Sequence, residues 1–233
     1  MTGALDFTVV QDNLTYFLIG RYPHGPAGGL LLTLYLAAVS CALSFFGGLV
    51  LGLLSLSRNW LIKLFIETVI QTLRGMPLLM VIFWAYFLLP ALLGHTVPEN
   101  WTVITALTIF TSAYMSQIVR AGIDGVPPGQ TEAALSTGLK PWQARLFVVL
   151  PQGLRNMIPS FVNQFVSLIK DTSLAYIVGV SELTQIATQV NNRSLVYPTE
   201  IFLFIAGMYF IICYLFTSLS RRLEKRLAWR KSI

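Results

Sequence analysis

Charged residues are scarce in this chain of 233 residues: Lys, Arg, Asp and Glu make up 11% of it, whereas hydrophobic residues make up 55%. Soluble domains carry roughly 25% charged residues. A soluble protein of this length forms a good core but cannot hide so much apolar surface. The composition therefore excludes an ordinary soluble domain and indicates an integral membrane protein.

Cysteine and histidine are also rare, with two residues of each kind. Cys41 and Cys213 lie in apolar runs, so we expect packing residues rather than a disulfide. Neither is near His24 or His95, and no metal-ligand spacing occurs. The sequence has no catalytic cluster of His, Asp, Ser or Cys, and no G-x4-G-K-[ST] phosphate-binding loop. A membrane enzyme, an ATPase and a resident cofactor in this chain are therefore disfavoured.

Five apolar stretches approach the roughly 20 residues that a helix needs to cross a bilayer. They cover residues 29–56, 77–93, 102–119, 157–180 and 201–219. The fourth is the least clean, because Lys170 and Asp171 interrupt it. We predict an all-α integral membrane protein with five transmembrane helices in a single domain over residues 1–233.

The net charge of +6 reflects where the cations lie rather than a nucleic-acid surface. Thirteen cations fall between the first and second spans, between the third and fourth, or after the fifth: Arg58, Lys63, Arg74, Arg120, Lys140, Arg145, Arg155, Arg221, Arg222, Lys225, Arg226, Arg230 and Lys231. The other side has Arg21 and Arg193. The positive-inside rule places the larger group in the cytoplasm. We therefore expect an external N-terminal segment over residues 1–28, a cytoplasmic loop over residues 124–155 and a basic cytoplasmic tail over residues 220–233.

The cytoplasmic loop carries a fixed pattern, E-A-A-x3-G-x11-L-P, formed by Glu132, Ala133, Ala134, Gly138, Leu150 and Pro151. Glu132 suits the first turn of a helix, where a carboxylate complements the helix dipole. Gly138 suits a left-handed C-terminal cap, and Pro141 suits the start of a second short helix that Pro151 would stop. The local chemistry alone also fits an amphipathic hairpin resting on the membrane, with Glu132 only a dipole partner.

The fourth span has a polar stripe at intervals of three and four residues: Ser160, Asn163, Gln164, Ser167, Lys170 and Asp171. Polar groups in a span usually face a partner, a cavity or a substrate path. A substrate path is one interpretation, and a seam that packs helices is the other. Lys170 and Asp171 equally fit a pair that fastens helices together or marks the outer end of the helix.

Two further patterns concern helix contacts. Gly48 and Gly52 form a G-x3-G pair, which permits close packing of the first span. The stripe of Thr108, Ser112, Ser116 and Arg120 on the third span is also interpreted as a contact between helices.

The E-A-A spacing resembles the cytoplasmic EAA loop of ABC importer permeases. The run Arg74-Gly75-Met76-Pro77-Leu78 looks like the R-G-x-P-L element of polar amino-acid permeases, of the histidine, glutamine and glutamate type. The runs at residues 168–174 and 179–183 are similar to the same family, so the resemblance covers about residues 29–227.

The resemblance implies a type I ABC importer permease fold in the bacterial inner membrane. An ATP-binding subunit dimer, an identical or homologous permease subunit and an extracytoplasmic amino-acid-binding protein are the implied partners, with ATP and Mg on the ATPase. The EAA hairpin would dock on that ATPase: Glu132 would face a basic or polar group, while Ala133 and Ala134 would allow close approach. Family members for basic substrates often have an acid where this chain has Gln164, so the resemblance implies a neutral or acidic amino acid, glutamine or glutamate/aspartate.

Other classes of protein remain open at the level of sequence. An ATPase-independent channel or secondary carrier also explains the spans and the polar stripe, but not the EAA spacing. A third interpretation is an ABC permease for another small solute.

Overall fold

The computed structural model describes residues 6–229 and the side chains of residues 6–222. The side chains of Lys225 and Arg226, and all of Arg230 and Lys231, which were counted above in the basic tail, lie outside the described residues. The α-helices are α1 Thr8–Asp12, α2 Leu14–Ile19, α3 Gly29–Ser55, α4 Trp60–Gly75, α5 Leu78–Leu93, α6 Glu99–Asp124, α7 Pro128–Ser136, α8 Pro141–Gln143, α9 Leu150–Asp171, α10 Leu183–Ser194 and α11 Pro198–Trp229. A π-helix at Ala144–Val149 precedes α9, and a 3-10 helix at Thr172–Val178 follows it. The predicted all-α class is confirmed.

Within the described residues, three helices are long and apolar enough to cross a membrane: α3, α6 and residues Pro198–Arg222 of α11. Helices α4 and α5 pass the same test together, although the chain bends at the break between them, which gives up to four spans. The predicted fourth span corresponds to the end of α9 and the 3-10 helix, where the polar stripe lowers the hydropathy. Five spans therefore stay a prediction.

The chain divides into two compact units. The first unit comprises Met1–Cys41, Pro77–Leu107 and Phe165–Phe216, and the second comprises Ala42–Met76, Thr108–Gln164 and Thr217–Ile233. In the first unit, α1 and α2 contribute Val9, Val10 and Phe17 to a buried cluster with apolar residues of α10 and α11. The fully buried ring of Phe17 lies 5.4 Å from that of Phe204. Residues 6–28 of the predicted external segment are thus a folded part of this unit.

Glu182 organises the start of α10 in the first unit. Its buried carboxylate accepts hydrogen bonds from the backbone N–H groups of Thr184 at 2.8 Å and Gln185 at 2.9 Å, and from the hydroxyl of Tyr209 at 3.1 Å. Such bonds satisfy the free N–H groups of a helix N-terminus. Burial nevertheless outweighs them and raises the pKa of Glu182 to about 7.

Helices α3 and α6 approach closely in the second unit, where α3 carries glycines. A Cβ atom on Gly48 would lie 2.2 Å from the Cβ of Met115, and one on Gly52 would lie 2.8 Å from the Cβ of Val119. Ser116 of α6 is fully buried. The packing roles predicted for the G-x3-G pair and for the stripe on the third span are confirmed.

An ion-pair network joins α4 to α6 in the same unit. Glu67 accepts from the guanidinium of Arg120 at 2.8 Å, and the ammonium of Lys63 lies 3.9 Å from the same carboxylate. Arg120 also lies 3.8 Å from Asp124. All of these groups are partly exposed, so each pair stabilises the fold by at most about 1 kcal/mol. Cys41 and Cys213 are both half-buried, and neither forms a disulfide.

Candidate functional site

The segment that carries the E-A-A pattern begins with α7, whose first residue is Pro128. Proline suits this position because the first N–H of a helix has no partner inside the helix. The helix ends at Ser136, and Gly138 follows with φ +88° while its N–H donates to the carbonyl of Leu135 at 3.0 Å. The left-handed conformation predicted for Gly138 is confirmed, and it turns the chain towards α8.

The second helical stretch starts at Pro141, as predicted, but it does not stop at Pro151. The side chain of Gln143 accepts from the N–H of Lys140 at 2.8 Å and caps the start of α8. The π-helix then leads directly into α9, which begins at Leu150. The prediction that Pro151 ends this helix is wrong, because the π-helix runs into α9 without a break and α9 continues through Pro151.

The residues of the E-A-A pattern differ in exposure. Glu132, Ala133 and Gly138 are exposed, as is Pro151, whereas Ala134 is 6% exposed. The small side chain of Ala134 therefore serves packing within this chain, and Ala133 is the alanine available to another protein.

Large apolar side chains accompany these residues on the surface of the segment. Trp142 is 59% exposed and Phe147 is 61% exposed, and their ring centroids lie 6.3 Å apart. Leu146 is also exposed, and so is Leu135 on α7. We call Glu132, Leu135, Trp142, Leu146 and Phe147 the loop surface. It combines one carboxylate with apolar side chains, a composition that suits a protein interface.

Hydrogen bonds attach this segment to the rest of the second unit. The amide of Gln152 on α9 donates to the side chain of Gln130 on α7 at 3.1 Å. The guanidinium of Arg145 donates to the carbonyl of Leu56, just after α3, at 3.3 Å. The α7 helix also packs against the π-helix. Direct contacts therefore connect α7 to α9.

The Arg74-Gly75-Met76-Pro77 run forms the break between α4 and α5. The α4 helix ends at Gly75, and Met76 and Pro77 are extended. Arg74 lies over the ring of Tyr114, with its guanidinium carbon 5.4 Å from the centroid, a cation–π contact. Arg74 therefore ties the end of α4 to α6, whereas a Cβ on Gly75 would meet nothing within 4 Å.

The polar stripe predicted for the fourth span lies on α9. Ser160, Asn163 and Lys170 are exposed, and Gln164, Ser167 and Asp171 are half-buried. Val166, Leu168 and Ile169 are buried instead. Among the described residues, Asn163, Gln164 and Ser167 have no side-chain hydrogen bond, and no ion pair joins Lys170 to Asp171. The stripe is thus a polar face without a hydrogen-bonded partner in the part of the chain that the structure describes.

Comparison with known proteins defines the family. Residues 44–229 match the model of the binding-protein-dependent transport system inner membrane component. The chain belongs to this family. The matched region includes the E-A-A segment, the Arg74 run and the stripe of α9, so the resemblance to ABC importer permeases predicted from those residues is confirmed.

Individual relatives are similar to this chain over most of its length. The chain is 44% identical to the probable glutamine ABC transporter permease protein of Bacillus subtilis (strain 168) over 85% of this chain and 91% of that protein. It is 30% identical to the glutamate/aspartate import permease protein of Escherichia coli O157:H7, over 96% of this chain and 98% of that protein. A crystal structure of an amino acid ABC transporter with histidines is similar with TM-score 0.84 and 30% identity, over 96% of this chain and 100% of that one. The fold is therefore that of a type I ABC importer permease.

Two features of the permease were not predicted from the sequence. The apolar members of the loop surface were missed, although Trp142 and Leu146 are four residues apart and thus share one helix face. The contact of Arg74 with Tyr114 was also missed, since the two residues are 40 positions apart and no local pattern pairs them.

Proposed function

We propose that this chain is the membrane-spanning subunit of an ATP-driven amino-acid importer and that it forms the substrate path. The polar face of α9 carries the proposal, because polar side chains on a helix of a membrane protein need a partner, a cavity or a substrate. An identical or homologous permease subunit would enclose this face, and an extracytoplasmic binding protein would deliver the amino acid.

The loop surface is proposed to dock on the ATP-binding subunit dimer. Aromatic anchors beside a charged group are typical of interface centres. Glu132 and Ala133 would contact the ATPase, and Gly138 would set the turn that presents them. ATP and Mg would bind to the partner, where hydrolysis would take place, and the contacts of Gln152 and Arg145 would carry the movement to α9 and α3.

The substrate is proposed to be glutamine, glutamate or aspartate. Of the similar proteins named above, one is a probable glutamine permease and one a glutamate/aspartate permease, which supports this class without choosing within it, whereas the solved transporter contains histidines. Asn163, Gln164 and Ser167 offer amide and hydroxyl groups that bind both the ammonium and the carboxylate of an amino acid. Lys170 and Asp171 provide one charge of each sign further along α9.

In the membrane we propose five spans, with the N-terminal segment outside and the C-terminus inside the bacterial inner membrane. Helix α5 would form the second span, and α9 with the following 3-10 helix would form the fourth. This orientation follows the positive-inside rule and places the loop surface in the cytoplasm, where an ATPase can reach it.

The test combines purification with uptake. The tagged chain is purified from its native membranes, and uptake of labelled glutamine, glutamate, arginine, a peptide and a sugar is compared in cells with and without its gene. We expect a copurifying protein with a phosphate-binding loop, and loss of glutamine or glutamate uptake in the deletion. Uptake that persists without ATP would favour a secondary carrier, and loss of sugar or peptide uptake alone would favour a permease for another solute.

A further inference from the structure

A cavity of about 150 Å³ lies in the first unit, beside the external segment. Its lining includes Tyr16 and Arg21 from the segment, and Ser181, Ile186 and Gln189 from the start of α10 and just before it. One water needs roughly 10–15 Å³ of such space. The cavity therefore has room for a polar group of several heavy atoms.

Glycines build the wall of this cavity. Gly20 has φ +68°, and a Cβ there would lie 2.6 Å from the backbone nitrogen of Gly28. A Cβ on Gly28 would lie 2.8 Å from the carbonyl oxygen of Ser181. The N–H of Gly29 donates to that same carbonyl at 2.9 Å. The loop after α2 is thus held against the start of α10 by backbone contacts that larger residues would not allow.

The polar groups of the cavity are mainly donors. The Oε1 atom of Gln189 accepts from the hydroxyl of Tyr16 at 2.5 Å, which leaves the amide nitrogen of Gln189 to donate. Within the described residues, neither the guanidinium of Arg21 nor the hydroxyl of Ser181 has a hydrogen-bond partner or an ion pair. The guanidinium of Arg193 lies over the ring of Tyr16, 5.6 Å from its centroid, and adds a second positive charge.

The adjacent acid does not compete for these donors. Glu182 follows Ser181 in the chain, but its carboxylate accepts from Thr184, Gln185 and Tyr209. One cation, Arg21, and two neutral donors thus line a space with no bonded anion, and Arg193 lies against the Tyr16 ring of the same wall. This arrangement suits an oxyanion such as a phosphate or carboxylate.

The external segment also exposes apolar side chains. Leu14 and Leu18, four residues apart on α2, are exposed, as are Phe7 and Tyr22. Val9, Val10 and Phe17 of the same segment are buried. A segment with one apolar exposed face and aromatic residues is typical of helices that lie at a membrane interface.

We propose that this cavity binds the phosphate of a phospholipid head group in the extracytoplasmic leaflet, with the acyl chains along Leu14 and Leu18. A phospholipid joins an oxyanion to an apolar chain, and the same segment carries the cavity donor Arg21 and, three and seven residues before it, the exposed Leu18 and Leu14. The choice of leaflet rests on the orientation in the proposed function, whereas the binding itself does not.

Lipid retention by the purified full chain tests the proposal. Phosphatidylglycerol is added in detergent at limiting concentration, and bound lipid is counted by native mass spectrometry. Loss of a charge-assisted contact weakens binding roughly tenfold or more, so Arg21→Gln should lose the lipid that the wild type retains. Arg21→Lys should keep part of it, and Gln189→Leu should also lose it. Arg58→Gln, which removes an exposed cation outside the cavity, is the matched control and should retain lipid as the wild type does.

Equal retention by wild type, Arg21→Gln and Gln189→Leu would overturn the proposal. A separate experiment replaces the lipid with inorganic phosphate. If phosphate binds to the wild type and phosphatidylglycerol does not, the cavity is a site for a free oxyanion and the proposal of a phospholipid ligand is overturned. Since Arg21 is exposed, its replacement does not endanger folding. The measurement needs no transport, so its failure leaves the proposed function intact, and failed uptake leaves the lipid site intact.

Discussion

Ala133 and Ala134 show how two identical neighbours in the E-A-A pattern serve different contacts. Ala134 is buried in this chain, whereas Ala133 is exposed beside Glu132. A larger residue at position 134 would disturb the packing of α7 before any partner is met, since a well-packed site tolerates little extra volume. Variants that probe docking therefore belong at exposed positions of the segment.

Replacement of Gly138 tests the turn that presents the loop surface. A Cβ there would meet nothing within 4 Å, so Gly138→Val acts only through the backbone at φ +88°. A left-handed L-residue costs about 1–2 kcal/mol, and a β-branched one more. We expect substrate-stimulated ATP hydrolysis and uptake to fall, while membrane insertion stays normal.

Gly129→Val is the matched control for that variant. Gly129 lies in α7, and its Cβ would also meet open space, but its φ is not positive. Uptake should therefore be close to normal. Equal uptake by Gly138→Val, Gly129→Val and wild type, at equal expression, would remove the turn from the coupling mechanism.

Replacement of Gln164 tests the substrate path. Gln164→Glu places a negative charge on the polar face of α9, and repulsion should weaken uptake of glutamate relative to arginine. Two like charges about 4 Å apart raise the free energy of substrate binding by about 1 kcal/mol or more. We therefore expect at least a severalfold change in the preference for arginine over glutamate. Competition uptake with glutamate, glutamine and arginine measures it.

Gln11→Glu makes the same chemical change at an exposed position of α1 and should leave the preference order unchanged. If Gln164→Glu also leaves that order unchanged in a stably assembled transporter, the stripe of α9 serves helix packing instead.

At the scale of elements, the contact of α3 with α6 depends on the glycines of α3. Gly48 and Gly52 are four residues apart and lie on one face, opposite Met115 and Val119. Without a strong hydrophobic force between helices in lipid, such close approach supplies the packing energy.

Gly48→Ala should destabilise this contact. The added Cβ would lie 2.2 Å from the Cβ of Met115, so backbone or side chain must shift. Overpacking costs typically 1–3 kcal/mol, which lowers Tm by several degrees for a chain of this size. Thermal unfolding of the purified protein in detergent measures it.

Gly207→Ala is the control, because Gly207 lies in α11 and a Cβ there would meet nothing within 4 Å. Alanine favours a helix by up to about 1 kcal/mol over glycine, so Tm should not fall. A Tm for Gly48→Ala that equals or exceeds that of the wild type would show that the two helices separate at no cost.

The sequence predicted the elements whose signal is local. Long apolar runs indicated α3, α6 and α11, and glycine and proline indicated the start of α8 and the turn at Gly138. The continuation through Pro151 was not predictable, because it depends on the π-helix that precedes the proline. The cavity beside Arg21 was missed for another reason: it joins residues about 160 positions apart, and only the fold brings them together.

At the scale of the whole molecule, the number of spans decides on which sides of the membrane the two ends lie. Three or five crossings place them on opposite sides, and four place them on the same side. Helix α9 decides between four and five crossings: Lys170 and Asp171 oppose insertion, while the buried Val166, Leu168 and Ile169 favour it. Labelling on each side of α9 therefore tests the topology directly.

The labelling uses a variant without its own cysteines, Cys41→Ala with Cys213→Ala. A single cysteine is then introduced at one of three exposed positions, Glu99, Ser136 or Asn192. With the N-terminal segment outside, Glu99→Cys at the start of α6 should react with a membrane-impermeant maleimide in intact cells. Ser136→Cys in α7 should react only after the cells are opened, since the positive-inside rule places that segment in the cytoplasm. If α9 crosses the membrane, Asn192→Cys in α10 should react in intact cells, as Glu99→Cys does. Protection of Asn192→Cys together with Ser136→Cys would mean that α9 returns to the cytoplasmic side, and labelling of Ser136→Cys in intact cells would invert the whole topology.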